Sequence, residues 1–315
     1  MSTRSRSERR GARRSWPALS YDAWSATCDT LHAHTQILGK LAVKLAPPEP
    51  QLQHAALRLS PRGWETNALP APDGSGAIVA GLDLGTHEAF VEHSDGQETR
   101  IALTPHRPVA EVTREVLDAV GRLAGGVEIN PKPQEVPWEV PLDEDREHAT
   151  YESDRVESYF AAATQAALVL AEFRASYRGR SSPVNAWWGT FDLAVHFYSG
   201  SRVDPPSDDF IIRNSGDAQQ IEIGWWPGDR NYGMAAFFAF AYPVPDGFSE
   251  ADLSPEAARW DDHLGEFVLD WEEIRSAEDP RALALEFAHS AFAHACTVCE
   301  WDPVLAASAE GNPLH

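Results

Sequence analysis

In the first patterned segment, "YDAWSATCDTLHAHTQILGKLAVKL", apolar residues return every three to four positions and stop before "APPEP". That spacing predicts an amphipathic helix, ended where proline disfavours the helical region for the residue before it. The runs that follow, "HAALRLS", "GWETNAL", "GAIVAGLDL", "EAFVEHS" and "TRIALT", alternate apolar and polar residues between Pro-Arg-Gly, Pro-Asp-Gly, Gly-Thr-His and Ser-Asp-Gly. Period-two segments punctuated by turn residues predict an antiparallel meander. "PVAEVTREVLDAVGRLAGG" reads as a helix opened by proline and closed by paired glycines, with "VEI" as a strand behind it.

"NPKPQEVPWEVP" then holds four prolines and predicts a linker over residues 131–141. Beyond it the order repeats. "YESDRVESYFAAATQAALVLAEFRASYRG" is a long helix, "PVNAWW", "FDLAVHFY", "QQIEIGWW" and "MAAFFAFAY" are strands, and "RALALEFAHSAFAHACTV" is a closing helix. Both opening helices end in glycine plus a base, Gly39-Lys40 and Gly179-Arg180. The expected fold is therefore α+β, an antiparallel sheet in two pseudo-repeated helix–strands–helix halves with long helices packed on one sheet face. The expected boundaries are a basic tail at 1–15, an N-terminal half at 16–130, the linker, a C-terminal half at 142–302 and a tail at 303–315.

Charge narrows the partners. Six arginines and one glutamate in the first 14 residues contribute +5 to a chain of net charge −22, so the remainder carries −27. A body that acidic repels phosphate backbones, which argues against nucleic acid. The Ser/Arg-rich start reads as a disordered tail. The longest nearly unbroken apolar run, "GMAAFFAFAYPV", is too short for the ~18 to 20 residues of a membrane span. No secretory apolar core follows the arginines, and a cytoplasmic location is expected. The three cysteines, Cys28, Cys296 and Cys299, are no disulfide framework for 315 residues. On a helix Cys296 falls ~200° from His294, so no metal site is expected there, and no cofactor is expected either.

"LHAHTQILGKL", "VPLDEDREHATY", "FRASYRGRSSPVNAWWGTFDLAVHFYSG", "GWWPG" and "AAFFAFAYPVPDGF", in that order, resemble a bacterial family known as a domain of unknown function, family 5996. The resemblance runs from Trp16 to Trp301 and implies no activity. Against the family pattern it implies, the chain has Phe197 in place of an arginine, Ala218 and Gln219 in place of a His-Glu pair, and His34 in place of an aromatic residue. If those positions form the family's site, the chemistry is lost or re-purposed in this chain.

Three places can carry chemistry. In "FDLAVHFYSG", strand parity puts Phe191, Leu193, Val195 and Phe197 on one face and Asp192, Ala194, His196 and Tyr198 on the other. The next strand sorts Glu222 and Trp226 together, and with Trp187 and Trp188 these residues suggest an aromatic-lined acid–base cleft. The bland alternative is a half-exposed strand with cross-strand partners. On the first helix, Cys28, His32, Thr35, Gln36, Gly39 and Lys40 share one arc. That arc either lines a cleft, with His32 as acid or base and Gln36 and Lys40 holding an anionic group, or packs against a neighbour. In "LDEDREHATY", Asp143 or Asp145 can pair with His148, or the acidic run caps the following helix.

Phosphate loops, dinucleotide fingerprints, nucleophile elbows and zinc-helix motifs are missing from the sequence. The expectation is an enzyme acting on a small molecule, in specialised metabolism, by cofactor-independent acid–base chemistry of lyase, isomerase, cyclase or hydrolase type. His196, Asp192, Glu222, His32 and His148 would be catalytic; Trp187, Trp188, Tyr198, Trp226, Gln36 and Lys40 would bind substrate. The alternative is a non-catalytic small-molecule binder or an oligomeric interaction protein.

Overall fold

The computed structural model describes residues 16–205 and 207–306. The basic tail expected at 1–15 and most of the C-terminal tail fall outside the described residues. The chain divides into an N-terminal unit, Asp22–Phe160 with Asn185–Asp192, and a C-terminal unit that takes up residues 16–21, Ala161–Val184 and the chain from Leu193 onward.

The N-terminal unit opens with helix α1 (Ser25–Leu45), followed by a 3-10 segment, Pro50–Ala55. Six short strands come next: β1 (Arg58–Leu59), β2 (Gly63–Glu65), β3 (Leu69–Pro70), β4 (Ala77–Asp83), β5 (Glu88–His93) and β6 (Glu98–Ala102). They form an antiparallel sheet in the order β1-β2-β4-β5-β6, with β3 also paired to β4. Helix α2 (Val109–Ala124) packs on β4, β5 and β6, and α1 packs on α2, β3 and β4. Val109, Val112, Val116 and Val120 of α2 are each 1% exposed or less, and burying such a side chain contributes about 1.5–3 kcal/mol. Helix α1 is buried on both arcs. Leu31, Ile37, Leu38 and Leu41 go inside as expected of an apolar stripe, but His32, His34, Thr35, Gln36 and Lys40 are buried too.

Helix α3 (Ser153–Arg174) begins in this unit, with Val156 and Tyr159 inaccessible to solvent. Past the two-residue strand β7 (Arg180–Ser181) the chain gives the N-terminal unit one more short strand, β8 (Asn185–Trp187), whose Ala186 bridges to Leu57. The following turn, closed by Phe191 N–H to the Trp187 carbonyl at 2.8 Å, leads to Asp192, the first residue of β9 (Asp192–Arg202).

In the C-terminal unit β9, helix α4 (Phe210–Ser215), β10 (Ala218–Trp226), β11 (Ala236–Tyr242), β12 (Arg259–Asp261) and β13 (Glu266–Asp270) precede helices α5 (Trp271–Ser276) and α6 (Pro280–Val298). The antiparallel order is β12-β13-β11-β10-β9-β7, and α6 packs on β10, β11 and β13. As predicted for a strand apolar on both faces, five of the seven β11 residues are buried.

Two local expectations give way. Residues 127–129 form no strand: exposure alternates between intermediate and full from Val127 to Asn130, so no face is anchored. The proline-rich stretch 131–141 lies inside the N-terminal unit, closed at its end by Leu142 N–H to the Pro131 carbonyl at 2.9 Å. Strands β12 and β13 and helix α5 went unread because acidic residues in "RWDDHLGEFVLDWEEIRS" interrupt the apolar period. Among the described residues no helix is long and apolar enough to cross a membrane.

Candidate functional site

A helix buried all round must satisfy its polar side chains internally, and α1 does so with the turn after β8. His32 Nε2 lies 2.9 Å from the Trp188 carbonyl and 3.0 Å from the Gly189 carbonyl. Carbonyls only accept, so Nε2 carries the proton. Burial lowers the His32 pKa to about 4, opposed by those two carbonyls, so the ring is neutral at ordinary pH and Nδ1 keeps its lone pair. Nδ1 makes no hydrogen bond among the described residues.

The ring of His32 stacks on Phe191 at 4.9 Å and meets Trp138 edge-on at 5.2 Å. Phe191 has φ +63°, an outlier for a bulky side chain. That backbone places its ring parallel to Trp64 and Tyr159 as well, at 5.2 and 5.1 Å, while Trp64 Nε1–H donates to the Tyr159 hydroxyl at 3.0 Å. Trp24 stacks on the other side of the phenol at 5.1 Å. Tyr159 is driven far above the ordinary phenol range by burial, so it stays protonated.

Asp192 follows directly. It is 6% exposed, its Oδ1 accepts from the Thr190 hydroxyl, and its Oδ2 is buried with no hydrogen-bond partner among the described residues. Burial raises its pKa to about 7, with the Thr190 bond opposing and the Glu135 charge adding to the rise. Glu135 itself sits at φ +58° with its carboxylate against Gly189, where a Cβ would lie 1.8 Å from Oε2. Only a residue without a side chain lets the two approach.

The proline-rich stretch supplies the opposite wall. Gln36 and Gln134 form a reciprocal pair, Gln36 Nε2–H to the Gln134 carbonyl at 2.8 Å and Gln134 N–H to Gln36 Oε1 at 3.0 Å. Gln134 Oε1 in turn accepts from Lys40 Nζ at 3.2 Å. Trp138 lies between the imidazoles of His32 and His148, 4.4 Å from the latter. His148 Nδ1 is 2.6 Å from Asp145 Oδ2, and Asp145 Oδ1 accepts from the backbone of Glu147 and His148 at 2.9 and 3.0 Å. Burial pushes the Asp145 carboxyl up, but the bonds from His148 and the backbone outweigh it and hold the group below the ordinary value. Replacing Asp145 with alanine strands three donors at a 1% exposed position. We expect a loss of ~3 kcal/mol, read from the urea midpoint at unchanged slope, and a smaller loss in Asp145→Asn.

His34, 2% exposed, is held at a pKa of about 3 by burial, and its Nδ1 has no partner among the described residues. Trp188 is closed in: Nε1–H donates to the Ala55 carbonyl at 3.0 Å and Lys40 Nζ stands 5.4 Å from its ring centroid. Trp187 is half-buried.

The remaining candidates belong to the C-terminal unit. His196 and Glu222 are directly opposed on β9 and β10, with Nδ1 3.2 Å from Oε2. Burial lowers His196 to about 4, opposed by a bond with Gln220. Ser182 holds its backbone on both sides, N–H to Oγ and carbonyl from N–H, each at 2.9 Å. Tyr198 lies under the Arg180 guanidinium at 4.4 Å. Trp226 packs on Tyr232 and Phe238, and Tyr232 donates to Asp270 at 2.5 Å beside Arg259. Phe197 is 1% exposed among Phe173, Tyr177 and Phe292.

With this geometry in place, comparison with known proteins gives one result. A profile described as "Family of unknown function (DUF5996)" matches residues 16–308. The chain belongs to the DUF5996 family. No match was found among curated proteins or among solved structures. In this DUF5996 member, His32, Gln36, Lys40, His148, Trp188 and Asp192 all fall in one unit, and His196, Tyr198, Glu222 and Trp226 in the other. Sequence reasoning missed Glu135, Trp138, Tyr159 and Thr190. For Glu135 and Trp138 the available signal was the company of Gln, Glu and Trp among the prolines of 131–141, residue types a plain linker has no use for.

Proposed function

We propose that this DUF5996 member is an enzyme that transfers protons on a small molecule, using side chains of the His32–Asp192 cluster alone. One observation carries the reading. Within a single aromatic cluster an imidazole is pushed down and a carboxyl pushed up, to about 4 and about 7; His32 Nδ1 makes no hydrogen bond among the described residues, and Asp192 Oδ2 is buried without one. Titratable groups driven apart in this way divide into a base and an acid. In this scheme His32 Nδ1 takes a proton from substrate carbon or oxygen, while protonated Asp192 gives one to the oxygen that gains charge. The imidazolium that forms is stabilised through Nε2–H by the Trp188 and Gly189 carbonyls. Trp138 and the Asp145-oriented His148 border the same imidazole and would shape the pocket. The reading suits isomerase or lyase chemistry, and it leaves His196 and Glu222 as a cross-strand pair of the C-terminal sheet.

The test uses a bacterial metabolite extract in deuterium oxide, with the full-length protein. Wild type should move solvent deuterium into at least one metabolite or convert it, and His32→Gln and Asp192→Asn should each lower that rate at least ~100-fold, the lower end for a lost acid or base. Metabolites that bind without exchange or conversion would mark a binder instead. Equal rates in wild type and both variants would also overturn the proposal.

A further inference from the structure

Lys40 is 4% exposed, and no carboxylate lies within ion-pair distance of it among the described residues. Its ammonium has one neutral acceptor, Gln134 Oε1 at 3.2 Å, and the Trp188 ring 5.4 Å away. Buried charges elsewhere in proteins are paired or ligand-bound, because a desolvated lone charge is costly. Here the chain goes to some length to hold the cation in place. The reciprocal Gln36–Gln134 pair fixes the backbone of the residue whose side-chain oxygen Lys40 uses. Glu135, the carboxylate next along, is turned against Gly189 instead.

We propose that Lys40 is the anchor for a carboxylate of the substrate, so that the small molecule handled by this site is an organic acid. This rests on the His32–Asp192 reading for where the reaction occurs, and adds what is held. His32, Gln36 and Lys40 are spaced four apart along one stripe of α1, which puts the first and last ~12 Å apart along the axis. Trp188 serves both ends, its carbonyl receiving His32 Nε2–H and its ring facing Lys40. The acid group would take the place of the Gln134 amide on Lys40, with the reacting end of the compound toward His32 and Asp192. One buried monocation matches one carboxylate. A phosphate dianion would leave a net negative charge in a chain already at −22.

The probes are phenylacetate and phenylacetamide, alike in shape and different in charge. By calorimetry with the full-length protein, phenylacetate should bind wild type at least tenfold more tightly than phenylacetamide. Lys40→Met, which keeps volume, should bind both alike, and Lys40→Arg should recover part of the preference. As a probe small enough for any such slot, formate should slow acylation of Lys40 in wild type, followed by peptide mass analysis. Equal binding of the two probes, a preference that survives in Lys40→Met, or no binding together with no protection by formate each overturns the proposal. Inorganic phosphate protecting Lys40 better than formate would overturn the carboxylate assignment. Carboxylate preference without any deuterium exchange would leave Lys40 as the anchor and remove the acid–base reading, and exchange without preference would do the reverse.

Discussion

At pH 8 the Asp192→Asn variant is expected to be more stable than wild type, and at pH 5 the gain should vanish. Asp192 has a folded pKa of about 7 against an ordinary value of 3.8, so its proton is held more tightly in the folded chain. For a raised carboxyl the sign is fixed. Below pH 4 both states are protonated and nothing is lost; between about pH 4 and 7 the unfolded chain releases the proton first and stability falls; above 7 the full penalty applies. A rise of that size corresponds to at most ~4 kcal/mol at pH 8. Asparagine is neutral throughout and keeps an acceptor for the Thr190 hydroxyl. Its amide nitrogen would inherit the unpartnered place of Oδ2, which returns ~1–3 kcal/mol. The expected net gain at pH 8 is therefore ~1–3 kcal/mol, read from urea denaturation at both pH values. A gain of the same size at pH 5 would mean that Asp192 is not protonated there, and the acid assigned to it would be lost.

The histidines act in the opposite direction. His32, His34 and His196 have folded pKa values of about 4, 3 and 4 against 6.5. For these the folded chain refuses a proton that the unfolded chain accepts, so stability is full above pH 6.5 and drains as pH falls toward 4. Asp192 offsets part of that loss over the same range. The acid limb of wild type should thus be shallower than that of Asp192→Asn, a comparison that isolates the carboxyl from the imidazoles. A stability cost carried by a buried carboxyl with one oxygen unpartnered is what the acid proposed for Asp192 would require.

Much of this arrangement was readable from residue order. The apolar period of α1, the five strand runs of the N-terminal unit and the parity that pairs His196 with Glu222 all appear in the structure. So does the polar arc of α1, which the sequence left open between a cleft and a packed face; it is buried, and its polar atoms are tied to the turn after β8 and to residues 131–141. What pattern cannot supply is which distant segment meets that arc. His32 and Trp188 are 156 residues apart, and Gln36 and Gln134 are 98 apart. Parity also grouped Asp192 with His196 as one strand face, while compactness assigns the two residues to different units. Phe191 shows why. With φ +63° it breaks the extended geometry just before β9, so the period of two does not carry backward into the turn where the cluster is built.

The second large effect is a reversal of sign between two glycines that occupy helix interiors. Glycine to alanine within a helix ordinarily stabilises by ~1 kcal/mol, because the unfolded chain loses freedom and the helix gains a better former. Gly121 in α2 has no atom beyond its chain neighbours and its own helix backbone within 4 Å of the place a Cβ would take, so Gly121→Ala should follow that rule. Gly39 in α1 should not. Its Cβ would lie 2.1 Å from Cδ2 and Cγ of Trp188, and that indole is 6% exposed and pinned by Nε1–H to the Ala55 carbonyl. A rigid ring cannot give way as a flexible tip can, so either α1 or the turn after β8 must shift, at ~3 kcal/mol for overpacking of this kind. The turn also carries the carbonyls that hold His32 and leads into Asp192. Gly39→Ala should therefore lower the melting temperature by roughly 5 °C and abolish deuterium exchange in the same variant, whereas Gly121→Ala raises the temperature slightly and leaves exchange intact. If both variants were stabilised, Trp188 would not be seated on Gly39. The path from α1 to the proposed acid and base would then have no physical support.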